Sequence, residues 1–170
     1  MAVGIGGVVL YANVSPTAQP IPGVEHIAAT DREHLTGAIN YPQSPPIGGP
    51  HNPVWQNCGV YDQPVPNEWG VHSMEHGAVW ITYRPDLPAE QVQALRAVAR
   101  GKEYVLLSPW AGESPLPSPV VASAWGLQLK LDTAGDPRLA EFVRRYANGT
   151  QTPERMAPCS GGMGTPLQSP

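Results

Sequence analysis

Cysteine is nearly absent from this chain: only Cys58 and Cys159 occur in 170 residues, and neither belongs to a Cys-x-x-Cys pair. A cysteine-based zinc finger and a thioredoxin-like motif are thereby excluded. Two lone cysteines leave two readings open, one disulfide formed in an oxidising compartment or two buried free thiols. Basic residues are also few. Ten Lys and Arg against fourteen Asp and Glu give a formal net charge of −4. No basic stripe results, so nucleic acid is not an expected partner. Gly-x-Ser-x-Gly is missing, and Ser73 beside His72 therefore lacks a nucleophile elbow. No glycine-rich phosphate loop follows a strand pattern, because Ser160-Gly161-Gly162 has no helix after it. The apolar run Met1–Ala12 is shorter than the ~20 residues that span a bilayer. It also lacks the basic start of a signal peptide. It reads as the outer end of a membrane helix with Tyr11 at the interface, or else as an apolar arm that packs on the domain or a partner.

What the chain does hold is 21 prolines, 18 glycines, five tryptophans and a hydrophobic fraction of 41%. That length and apolar content suit one domain, with Pro-rich arms around a packed centre. Residues 13–24 carry three prolines and read as a linker. Residues 25–150 read as a single globular domain, and 151–170 as a Pro- and Gly-rich tail tied by the disulfide if one forms. Residues 25–70 are irregular and full of turn signals such as Gly48-Gly49-Pro50 and Asn52-Pro53. Regular pattern begins after Gly77. Ala78–Tyr83 predicts a strand closed by Pro85. Ala89–Arg100 has Val92, Leu95, Val98 and Ala99 at helical spacing, ended by Gly101. Glu103–Ser108 predicts a second strand, and Val120–Leu131 a third with a bulge at Trp125-Gly126. Asp136-Pro137 opens a helix that runs to Tyr146. The order predicts an α+β fold: a small two-layer sandwich, mostly antiparallel, with helices on one face and a long irregular N-terminal arm.

Chemistry concentrates in the histidines. The chain has five, and two of them share the segment His72-Ser73-Met74-Glu75-His76-Gly77. His51 follows the turn Gly48-Gly49-Pro50, whose glycines allow close backbone approach. His-x-x-Glu-His is also the spelling of a zinc protease motif. That motif needs a long helix, whereas Pro64, Pro66 and Gly70 upstream and Gly77 downstream leave room for about one turn. A metal site needs less. Imidazole is the commonest metal ligand, and residues i and i+4 meet within one turn. The expected ligands are His51, His72 and His76. Glu75 is a further ligand or a hydrogen-bond partner to one of them, and His34 is a fourth ligand or a surface residue. Three imidazoles suit copper or zinc, and the sulfur of Met74, Met163 and Cys58 places copper before zinc. The alternative is a set of histidines that only satisfy backbone groups.

Several segments together resemble an uncharacterised bacterial family, a domain of unknown function. They are Pro45-Pro46-Ile47-Gly48-Gly49-Pro50-His51, Trp55-Gln56-Asn57-Cys58-Gly59-Val60-Tyr61 and Val71-His72-Ser73-Met74-Glu75-His76-Gly77. Ala124-Trp125-Gly126, Cys159-Ser160-Gly161-Gly162 and the opening His34-Leu35-x-Gly37 also fit. Met74 stands where members often carry leucine, which points to a packing role. The resemblance implies a membrane anchor followed by an extracytoplasmic domain, periplasmic or on the cell surface, and no particular activity. The leading expectation is therefore a membrane-tethered, extracytoplasmic copper- or zinc-binding domain that handles metal or keeps a stable metal centre. A second is a non-catalytic accessory subunit of a membrane complex, suggested by the apolar start, the Pro-rich arms and the tryptophans. A third is a metal-dependent enzyme with an open coordination position beside His76.

Overall fold

The computed structural model describes residues 19–112 and 114–167, so the apolar segment 1–12 lies outside the described residues. Runs rich in Val, Leu, Ile and Trp form the strands β1 (Val24–His26), β2 (Gly59–Val60), β3 (Val79–Tyr83), β4 (Val105–Pro109), β5 (Val120–Ala124) and β6 (Leu127–Leu131). The helices are α1 (Asn67–Glu75), α2 (Ala89–Ala99) and α3 (Pro137–Tyr146). One sheet has the order β1-β6-β5-β3-β4-β2. β1–β6, β5–β6 and β3–β5 are antiparallel, while β3–β4 and β2–β4 are parallel. A parallel pair needs a crossover, and α2 supplies it between β3 and β4. The α+β expectation holds, with a mixed sheet and three helices.

Side chains alternate across the sheet, as strand geometry dictates. Val79, Ile81, Val105, Leu107 and Ala122 join the cluster that contains Leu95 of α2 and Leu139, Phe142 and Val143 of α3. Trp80, Leu106 and Val121 join a second cluster with Val71 and Met74 of α1. Both faces are therefore covered, which is why β3 reads as an unbroken apolar run. α2 and α3, the two helices expected from the sequence, share one face. α1 and the irregular segments carrying Tyr41, Tyr61 and Val65 cover the other.

Two local expectations are corrected. Val120–Leu131 is not one bulged strand. Ala124 pairs with Leu127, leaving Trp125-Gly126 as a two-residue hairpin turn between β5 and β6. The second correction concerns α1, which has nine residues rather than about one turn. Pro66 does not shorten it. Its φ of −56° suits a helix start, and its carbonyl accepts from Trp69 N and Gly70 N. Gly70 is present for packing, because a Cβ there would lie 2.7 Å from the Trp80 ring. Gly77 ends the helix at φ +115°, a conformation that side chains resist, and turns the chain into β3. At the other end of the chain, Ile21 is buried in the core and Val24 pairs with Leu129. Among the described residues, no helix is long and apolar enough to cross a membrane.

Candidate metal centre

The two and a half turns of α1 set the site. Residues i, i+3 and i+4 share a helix face, so His72, Glu75 and the capping residue His76 project together. His51 is brought alongside by the loop that crosses this face. A short parallel bridge joins it to His34, with Leu35 N donating to the His51 carbonyl at 2.8 Å and His51 N to the Glu33 carbonyl at 2.9 Å. One donor atom from each of His34, His51, His72 and Glu75 falls within 4.8 Å of all the others. His51, His72 and Glu75 are buried, whereas the His34 side chain is 47% exposed. Their rings are in contact, with His34 stacked on His72 at 5.0 Å between centroids and His51 edge-on to His72 at 4.8 Å.

The hydrogen bonds fix the tautomers. His51 Nδ1 lies 2.8 Å from the Gly49 carbonyl, His72 Nδ1 lies 2.6 Å from the Asn52 carbonyl and His76 Nδ1 lies 2.7 Å from the Pro158 carbonyl. A carbonyl only accepts, so each Nδ1 must carry the proton and donate it. Where such a ring is neutral, its Nε2 lone pair points inward. His51 Nε2 faces Glu75 Oε2 at 2.9 Å, and His72 Nε2 faces His76 Nε2 at 2.9 Å. Both contacts join acceptor to acceptor unless a proton or a metal ion supplies positive charge. Fixing one ring nitrogen by a backbone carbonyl while the other faces a common point is how metal-binding imidazoles are held.

Charge follows the same logic. Burial pushes the pKa of His72 down to about 4, and the positive charges of His76 and His51 add to that, against the Asn52 carbonyl and the Glu75 carboxylate. Its lone pair is therefore free at neutral pH. Burial works to raise the pKa of Glu75, but the hydrogen bond that His51 donates when its Nε2 carries a proton, with the attraction of the neighbouring imidazoles in their protonated forms, outweighs it and holds the carboxyl below its usual range. Glu75 thus offers an anion.

The structure unites four of the five residues expected from sequence and sets His76 at the rim of the group, against His72 and 3.6 Å from Glu154 Oε2. Met74 and Cys58 are not available as sulfur donors. Met74 packs in the apolar cluster with Val71 and Trp80, and Cys58 is bonded to Cys159. The disulfide, which sequence left open, joins Cα atoms 5.3 Å apart and sews the tail to the site. Cys58 N donates to the Cys159 carbonyl at 2.7 Å, and Glu154 N donates to the Glu75 carbonyl at 3.0 Å. Glu154, the three backbone carbonyls and Trp55, whose ring lies 5.7 Å from His72 and 4.8 Å from His76, were not foreseen as parts of the site. Glu154 sits in a Pro-rich tail with no local pattern, and only the disulfide hints at its position.

No curated protein and no solved structure matches the chain. The family model described as Protein of unknown function (DUF3105) matches residues 34–161. That span holds every donor described above, and the chain belongs to this family.

Proposed function

We propose that this chain is an extracytoplasmic metal-binding domain whose ion is held by His34, His51, His72 and Glu75. One observation carries the reading: the buried imidazoles of His51 and His72 have their Nδ1 atoms committed to backbone carbonyls, and a donor atom of each gathers with those of Glu75 and His34 within 4.8 Å. A proton or a metal ion would satisfy the Nε2 contacts of these rings, and the convergence of four donor atoms within 4.8 Å of one another favours the metal ion. Three nitrogens and one oxygen suit zinc and copper(II) alike. Copper before zinc now rests on the general order of divalent affinities rather than on sulfur. The extracytoplasmic setting rests on the Cys58–Cys159 disulfide, which persists in oxidising compartments.

The role that fits is metal handling or a stable centre. Protein expressed without a polyhistidine tag is titrated calorimetrically with copper(II) and zinc(II), and its metal content is measured as isolated. One ion per chain is expected. His51→Ala should weaken binding beyond the roughly 10–100-fold that loss of a supporting hydrogen-bond partner costs. His34→Ala, at a half-exposed position that does not threaten the core, should weaken it as well. Wild-type protein that takes up neither ion, or a His34→Ala and His51→Ala pair that binds as tightly as wild type, overturns the proposal.

A further inference from the structure

We propose that His76 and Glu154 form an outer station through which the ion reaches the inner donors, with His72 as the ligand shared by both. The inference rests on the metal-binding reading above and deepens it. His76 is prepared for ligation although it lies outside the inner group. Its side chain is 6% exposed, its Nδ1–H is committed to the Pro158 carbonyl, and its Nε2 faces His72 Nε2 at 2.9 Å and Glu154 Oε2 at 3.6 Å. Both neighbours are acceptors when His72 is neutral, so His76 Nε2 is aimed at a spot that calls for positive charge, from a proton or from a metal ion. Two nitrogens bound at right angles to one ion, with bonds of about 2.0–2.1 Å, lie about 2.9 Å apart. The His72–His76 spacing suits an N–H···N hydrogen bond and equally suits adjacent ligands on a shared ion.

A ring nitrogen has one lone pair, so His72 Nε2 serves one ion at a time. The outer set of His76, Glu154 and His72 and the inner set of His34, His51, Glu75 and His72 exclude each other at that atom. Exposure falls from Glu154 through His76 to His51, while His34 of the inner set is itself 47% exposed. The Glu154 side chain is 49% exposed, that of His76 6% and that of His51 0%. An anionic group at the mouth raises the local concentration of cations, and each step inward replaces water by imidazole. His72 then releases the outer donors as it engages the inner ones.

The test is stopped-flow mixing of the full-length protein with copper(II), read by quenching of tryptophan emission, because Trp55 lies against both His72 and His76. A station on a path changes association and dissociation together and leaves Kd alone. Glu154→Gln, at an exposed position that leaves the fold intact, and His76→Gln should each slow association about tenfold, slow dissociation in step and keep one ion per chain. Three results overturn the proposal: unchanged association in both variants, which means the ion passes His34 instead; a weaker Kd with association untouched, which makes His76 an ordinary ligand; or two ions bound at once by wild type. Wild type that binds no copper(II) removes the metal reading itself and this inference with it, and equilibrium titration shows that before any variant is made.

Discussion

His72 is a histidine that stays neutral through mild acid. Its pKa lies at about 4 rather than the ordinary 6.5, and burial is the main cause. Between those values the unfolded chain binds a proton that the folded chain refuses, so folding stability rises with pH across that window. Metal-free protein should therefore lose stability steadily as pH falls from 6.5 to about 4. His72→Gln should flatten that slope, as read by thermal melts at a series of pH values. Glu75 acts in the same direction at lower pH. Its folded pKa is depressed, so its contribution is present above the ordinary carboxylate range and is lost as pH falls through the folded value. That His51, His72 and Glu75 gather in one place was readable from their chemistry. How they are oriented was not, because Gly49, Asn52 and Pro158 contribute only carbonyl oxygens, which every residue has.

α1 is the element on which the site depends, and it is where sequence reasoning went astray. Pro64, Pro66 and Gly70 looked like breakers. Tertiary contact decided otherwise: Pro66 starts the helix, and Gly70 lets it approach Trp80. Alanine is favoured over glycine by about 0.8–1 kcal/mol in an exposed helix. Here the added methyl would meet the fully buried Trp80 ring at 2.7 Å, and overpacking of that kind costs about 1–3 kcal/mol. Gly70→Ala should therefore destabilise the protein by about 1–2 kcal/mol, measured by urea denaturation, whereas propensity alone predicts a gain. The helices α2 and α3 and the strands β3 and β4 were legible because their apolar spacing and their Pro and Gly limits agree with their packing. The β5–β6 hairpin was missed although Val120–Leu131 exceeds the five or six residues of a common strand. A glycine inside a strand pattern marks a turn as readily as a bulge.

At the scale of the molecule, the disulfide closes a loop with a sequence separation of 101 residues. On the chain-entropy view a closure of that length is worth about 4.7 kcal/mol at most. The paired substitution Cys58→Ser with Cys159→Ser should cost about 2–5 kcal/mol, seen as a lower denaturant midpoint that added reductant no longer changes. The inner donors all lie between residues 34 and 75. The folded variant should therefore still bind one copper(II) ion.

The hydrogen bond from His76 to the Pro158 carbonyl spans 82 residues, and its consequence is one of timing. Contacts between distant parts of a chain form after local ones, because the intervening loop must first be closed. On a chain emerging from its N-terminus, the inner donors can gather once β3 has docked against α1. The rim awaits a residue 82 positions further along, and until Pro158 arrives His76 lacks the carbonyl that orients it. The molecule can therefore gather His34, His51, His72 and Glu75 before His76 is held at their rim.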